Sequence, residues 1–320
     1  MAELATAGLL IARALHHPEP GSTAWRASVT DWRRPSRPGT VRGVDVFTRD
    51  GLGFDVRDGG PPDGEPVVLL HGFPQDSSAW TAVAEGLHGA GLRTLAPDQR
   101  GYSPGARPSG RSAYRLRELT ADVLALLDSA GLGSAHVVGH DWGGIVGWAL
   151  GAWHPERVRT LTAISVPHPA AMARAMVTSD QALRSSYVAL FQLPVLPERL
   201  LLAGDGAALH RLLLTSGLPP ELSERYVRRM QEPGALAAAL AWYRALPLDA
   251  RDPVGTVRVP TLHLWSTRDA ALGRTATEQT RGFVDAPYRL EVLEGVPHFI
   301  PELAPERVAE LVTEHVRAHA

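Results

Sequence analysis

Two periodicities alternate along the chain. Short, nearly unbroken runs of β-branched and apolar residues read as strands, and longer segments with apolar positions recurring every three or four residues read as helices. Val44-Asp-Val-Phe47 and Leu52-Gly-Phe-Asp-Val56 suggest an opening hairpin. A buried strand follows at Pro66-Val-Val-Leu-Leu70, then a helix from about Trp80 to His88 and a strand at Arg93-Thr-Leu-Ala-Pro97. Leu116, Leu119, Val123, Leu126 and Leu127 mark one face of a helix spanning about Tyr114 to Ala130. After it come a strand at Ala135-His-Val-Val-Gly139, a helix from Trp142 and a strand around Leu161-Thr-Ala-Ile164. Strands that alternate with helices and lack a polar face predict an α/β fold: a mostly parallel central sheet covered by helices on both faces.

The pattern changes after residue 166. Leu-, Ala- and Arg-rich helical segments punctuated by prolines run to about residue 250, and strand character returns only at Val259–Trp265 and Tyr288–Leu293, before a final helix after Pro305. The expected organisation is a lead-in at 1–42, a first core part at 43–166, an inserted helical cap at 167–250 and a second core part at 251–320. A length of 320 residues suits one such core with an insertion better than two unrelated domains. The lead-in reads as a short helix and a Pro- and Arg-rich stretch, more suited to packing or a homodimer contact than to catalysis.

Composition narrows the chemistry. All 32 basic residues are arginine, so Schiff-base chemistry, pyridoxal phosphate attachment and a Walker-A phosphate site are excluded. The absence of cysteine removes thiol nucleophiles, disulfides and Cys-based metal sites, and suits a cytoplasmic protein. A net charge of −2 offers no field for nucleic acid or an anionic membrane. No apolar run is long enough to span a bilayer, and the run from Ala5 to Leu15, preceded by Glu3 and interrupted by Arg13, does not read as a secretory signal. A small uncharged organic substrate fits best, with no cofactor and no metal expected.

The most informative stretch is Val137-Val-Gly139-His-Asp141-Trp142-Gly143-Gly144, which passes from a strand through glycines into a helix, as a nucleophile elbow does. Aspartate occupies the exposed position where serine would be expected, which disfavours a serine esterase. A serine attacking saturated carbon would leave a stable ether, whereas a carboxylate leaves an ester that water can cleave with acid–base and oxyanion machinery. The competing reading is that Asp141 only caps the following helix. His71-Gly72-Phe73-Pro74 follows a strand directly, so the Phe73 and Trp142 N–H groups are the expected oxyanion donors. His71 itself reads as a structural hydrogen bonder.

These motifs, together with Asp98-Gln-Arg-Gly-Tyr102, Pro167-His-Pro169 and Pro297-His-Phe299, resemble the epoxide hydrolases of the α/β-hydrolase superfamily, relatives of the haloalkane dehalogenases, over roughly residues 43–318. The loop Ser103-Pro104-Gly105 departs from the group's more frequent glycine and serine. The resemblance implies His298 as the general base and Asp269 as its orienting acid, although the turn Ser266-Thr-Arg-Asp269 lacks the customary glycine and could instead be a surface turn. It further implies that Tyr187, in Ser186-Tyr187-Val-Ala-Leu-Phe191, and Tyr243, in Ala241-Trp242-Tyr243-Arg244, protonate the oxygen of an opening epoxide; the competing reading makes both helical core aromatics. The expected reaction takes an apolar epoxide and water to a vicinal diol. Haloalkane or haloacid dehalogenation, with Trp142 and Trp242 as halide-binding indoles, is the enzymatic alternative. A non-catalytic ligand-binding relative is the other.

Overall fold

The computed structural model describes residues 43–319. Eight strands form one sheet in the order β1-β2-β4-β3-β5-β6-β7-β8: β1 Val46–Arg49, β2 Leu52–Gly59, β3 Pro66–Leu70, β4 Arg93–Pro97, β5 Ala135–His140, β6 Val158–Ile164, β7 Thr261–Ser266 and β8 Tyr288–Leu293. The β1–β2 and β2–β4 pairs are antiparallel, and every pair from β4 to β8 is parallel. The anticipated α/β hydrolase fold is therefore present. Several predicted boundaries move by a few residues; β7, for one, starts at Thr261 rather than Val259, directly after Pro260, whose ring nitrogen has no proton to give a ladder.

Strand residues divide between the two faces by their alternation. Val67, Leu69 and Val138 point to one side, where α1 (Thr81–Gly89) supplies Val83 and Leu87 and the last helix supplies Val308, Leu311 and Val312. Val68, Leu70 and Val137 point to the other, against α2 (Leu116–Ser129) and α3 (Trp142–Trp153). Both faces are covered, which is why the central strands show no polar alternation.

Between β6 and β7 only helices occur among the described residues: α4 Pro169–Thr178, α5 Gln181–Arg184, α6 Tyr187–Phe191, α7 Leu196–Thr215, α8 Pro220–Met230 and α9 Ala235–Asp249. The remaining helices are α10 Arg274–Gln279, α11 Ile300–Leu303 and α12 Pro305–Arg317. The inserted helices share a continuous apolar core with the sheet and are also fastened to it by polar contacts. Arg229 binds Asp98 at 2.8 Å, Arg107 binds Glu232 at 2.7 Å, and the Trp242 indole donates to the Arg100 carbonyl at 2.8 Å. The expected helix within 1–42 lies outside the described residues.

The tightest packing lies where β5 turns into α3. A Cβ added to Gly143 would sit 2.1 Å from the Leu70 carbonyl oxygen, and one on Gly139 would sit 2.2 Å from the Gly143 carbonyl. The obstructing atoms are strand and helix backbone, which cannot swing aside as a side-chain tip can. We expect Gly143→Ala to lower the unfolding free energy by about 3 kcal/mol or more, or to prevent folding, as read by urea denaturation.

Candidate active site

Parallel α/β sheets open a crevice at the carboxyl ends of their strands, and loops leaving those ends meet there. In this chain the loop after β3 carries Phe73, the turn after β5 carries Asp141, the loop after β7 carries Asp269 and the loop after β8 carries His298. The topology thus gathers into one place residues separated by more than two hundred positions.

Asp141 has φ 51° and ψ −119°, a conformation that a non-glycine residue adopts only when its surroundings impose it. Gly139 and Gly143 allow the turn to be that sharp, and Gly72 allows the side chain to lie across the neighbouring loop, since a Cβ there would stand 2.4 Å from the Asp141 Cβ. The Asp141 side chain makes no capping bond to α3. Its Oδ1 accepts from the Phe73 N–H at 2.9 Å, and the Trp142 N–H also bonds the carboxylate. Burial raises the carboxyl pKa, while His298 and those two N–H groups pull it back down.

His298 lies on the other side of the same carboxyl group, with Nε2 3.8 Å from Asp141 Oδ2. Its Nδ1 is 2.7 Å from Asp269 Oδ2, and the second Asp269 oxygen accepts from the Ala271 and Leu272 N–H groups at 2.9 Å each. The Asp269 side chain is fully buried, so the alternative of a surface turn does not hold. Burial disfavours charge on the His298 ring, but Asp269, its hydrogen bond and the Asp141 carboxylate outweigh it and raise the pKa to about 9. A carboxylate on Nδ1 fixes that nitrogen as the donor and leaves Nε2 facing Asp141.

Above the carboxylate, Tyr187 from α6 and Tyr243 from α9 stand with ring centroids 6.2 Å apart, and Tyr243 packs edge-on to Trp142 at 5.0 Å and to Phe73 at 5.6 Å. Burial and, further, the Asp141 charge push both phenols well above their usual range, so both stay protonated at neutral pH. The Trp242 indole donates to the Arg100 carbonyl. The Trp242 indole is therefore not free to hold a halide. His71 behaves as a structural bonder, its Nε2 accepting from the Gln99 N–H at 3.1 Å.

Other polar groups converge here without having been expected from sequence. Gln75, His140, Ser165 and Tyr226 are buried behind His298 beside the partly buried Glu302, with Ser165 Oγ donating to the His298 carbonyl at 2.9 Å. The usable signal was the position of Glu302 four residues after His298.

Residues 65–305 match the model of the alpha/beta hydrolase fold family. The chain belongs to the α/β-hydrolase-fold family. This α/β hydrolase is 38% identical over 237 residues to the AB hydrolase superfamily protein YfhM of Bacillus subtilis, covering 72% of this chain and 83% of the relative. It is 32% identical to epoxide hydrolase A of Mycobacterium tuberculosis, covering 82% and 92% respectively. Among solved structures, an epoxide hydrolase from metagenomes of hot environments superimposes with a TM-score of 0.74 at 30% identity, over 87% of this chain and 99% of the other. The resemblance read from the motifs is borne out.

A pKa of about 9 for His298 in the folded protein, against 6.5 unperturbed, means that the folded state holds the extra proton. The corresponding stability is complete below about pH 6.5 and is lost as pH rises through about 9. Asp269→Asn removes the largest influence raising that pKa. Urea unfolding at a series of pH values should therefore show a lower stability at neutral pH and a flatter decline across this window than in the wild type.

Proposed function

We propose that this α/β hydrolase opens epoxides to vicinal diols through an ester on Asp141. The observation that carries the reading is the pair of protonated phenols, Tyr187 and Tyr243, held over a carboxylate whose other neighbours are a histidine and two backbone N–H donors. The relatives named epoxide hydrolase support it.

In this reading Asp141 Oδ2 attacks an epoxide carbon from the side opposite the ring oxygen. The C–O bond breaks, and the departing alkoxide takes a proton from Tyr187 or Tyr243. Esterification removes the Asp141 charge, and with it one of the influences that keep His298 protonated; the His298 proton passes to the phenolate, which restores the phenol and leaves a neutral imidazole. The neutral imidazole then takes a proton from water, and the hydroxide attacks the ester carbonyl. Negative charge gathers on the oxygen facing the Phe73 and Trp142 N–H groups. Collapse breaks the ester C–O bond and releases the diol as the His298 proton goes to the leaving oxygen; the carboxylic acid left on Asp141 then gives its proton to His298, which restores the starting ion pair. Asp269 orients the ring and stabilises the imidazolium formed between these steps. The helices at 167–250 act as a cap that delivers the phenols. Epoxide and water are the only reactants, and no metal or cofactor enters.

Epoxide opening is favoured over dehalogenation, because a departing halide needs free N–H donors and needs no proton, whereas the Trp242 indole is engaged and two O–H donors are present.

Three variants test the proposal with a panel of apolar epoxides and identification of the products. Asp141→Asn should lose turnover entirely, provided mass spectrometry shows no reversion to aspartate. His298→Gln should accumulate one substrate mass on the Asp141 peptide. Tyr187→Phe combined with Tyr243→Phe should slow ring opening by about a hundredfold or more. Full turnover by the Asn variant would exclude the ester route.

A further inference from the structure

Behind His298 lies a chain of buried polar contacts that the proposed reaction does not use. Glu302 is held in α11, where its Oε1 accepts from the Tyr226 hydroxyl of α8 at 2.6 Å. Its Oε2 accepts from Gln75 Nε2 at 2.7 Å. Gln75 Oε1 lies 2.9 Å from His140 Nδ1 and accepts from the Gly72 N–H at 3.2 Å. His140 Nε2 is 3.0 Å from the His298 carbonyl oxygen. One line of hydrogen bonds thus runs from the helical insertion to the backbone of the residue proposed as base.

The two acceptors flanking His140 pose a problem. To donate to both Gln75 Oε1 and the His298 carbonyl, the ring would need protons on both nitrogens. Burial works against that charge, as does the neighbouring His298, and drives the His140 pKa well below its ordinary value. A neutral ring can satisfy only one of the two. With Glu302 ionised, Gln75 turns its amide N–H to the carboxylate and its oxygen to His140, so the proton sits on Nδ1 and the bond to His298 is lost. With Glu302 protonated, the carboxyl can donate to Gln75 Oε1 once the amide is reversed. The amide N–H then faces His140 Nδ1, the ring proton moves to Nε2, and the His298 carbonyl gains a further donor beside Ser165 Oγ and the Ile300 N–H. Only the 3.2 Å contact from Gly72 is given up.

We propose that Glu302 is a positioning residue for the base: its carboxyl, acting through the Gln75 amide, selects the tautomer of His140 and so makes or releases the bond from His140 to the His298 carbonyl, while Tyr226 joins the same carboxyl to the inserted helices. The relay rests on His298 being the base, as proposed above. Charged and titratable groups face Glu302 from every side. Arg225 and Tyr226 approach from α8, with Arg225 donating to the Tyr226 hydroxyl at 2.8 Å. Asp76 follows Gln75 and interacts with both, while His140 and His298 lie beyond. Burial lifts the Glu302 pKa, and Tyr226, Gln75 and Arg225 only partly oppose it, leaving the value at about 7. The carboxyl therefore changes state in the range in which an imidazole base works.

The experiment is a pH titration of the full-length protein labelled with ¹⁵N-histidine, with His140 assigned by comparison with His140→Gln. In the wild type His140 should carry its proton on Nε2 below about pH 7 and on Nδ1 above it. Glu302→Gln can donate to Gln75 and accept from Tyr226 at every pH, so the Nε2 tautomer should persist and the transition should vanish. Tyr226→Phe removes a donor that favours the carboxylate, and should move the transition upward by about one pH unit. Should the Gln variant fail to fold, the Phe variant still decides. A wild-type tautomer that does not change with pH, a transition unaltered in Glu302→Gln, or a downward shift in Tyr226→Phe would overturn the relay. In turnover, Glu302→Gln should lose the pH step near 7 from decay of the Asp141 ester and leave its formation unchanged; equal slowing of both with the pH profile intact would mark a merely structural role and overturn the proposal. The tautomer is read without substrate, so a protein that opened no epoxide would remove the catalytic reading and leave the relay itself decided.

Discussion

The site depends on one backbone constraint, the crowding at the end of β5 that holds Asp141 in a conformation its own side chain disfavours. Gly139 and Gly143 bring strand and helix so close that no Cβ fits between them, and the residue at the apex has nowhere to go but outward. The strain is local, of the order of 1–3 kcal/mol for such a residue, and the two packed faces of the sheet outweigh it. Its result is a carboxylate lifted clear of its helix, so that the Phe73 and Trp142 N–H groups reach it from one side and His298 from the other.

Much of this was legible in the sequence because the signals were local. Buried strands announced themselves as apolar runs, and the elbow as glycines at fixed offsets around Asp141. Phe73 could be placed because a turn after a strand has few directions in which to aim an N–H. His298 and Asp269 were different, since nothing local separates one histidine among 13 from the rest, and motif resemblance had to select them. The polar set behind the histidine stayed invisible for a physical reason. Gln75, His140, Tyr226 and Glu302 lie up to 227 positions apart and meet only when the sheet closes, each having an ordinary structural use in isolation. The role of Trp242 was misread on similar grounds, because its N–H partner is a backbone carbonyl on a distant loop, which no sequence pattern records.

The inserted helices are fixed to the core in two ways with different consequences. Their apolar contacts supply adhesion but little registry, since sliding one apolar surface over another costs little until side chains interlock. The directional contacts set the register: Arg229 on Asp98, Arg107 on Glu232, and the Trp242 indole on the loop that carries Arg100. Trp242 immediately precedes Tyr243, so the bond that anchors its indole also limits where the next phenol can point.

Charge on Asp141 then links the parts of the site to one another. While it is present, it adds to the burial that raises both phenol pKa values and contributes to the raised pKa of His298. In the proposed reaction the carboxylate becomes an ester and that charge is gone; both effects then weaken together, so a phenol that has given up its proton is under less electrostatic penalty and the imidazole is freer to lose its own. The same event thus relaxes the donor that has finished its work and releases the base whose work begins. Such an order needs no moving part. It follows from placing two phenols and one imidazole within electrostatic reach of a single ionised oxygen pair.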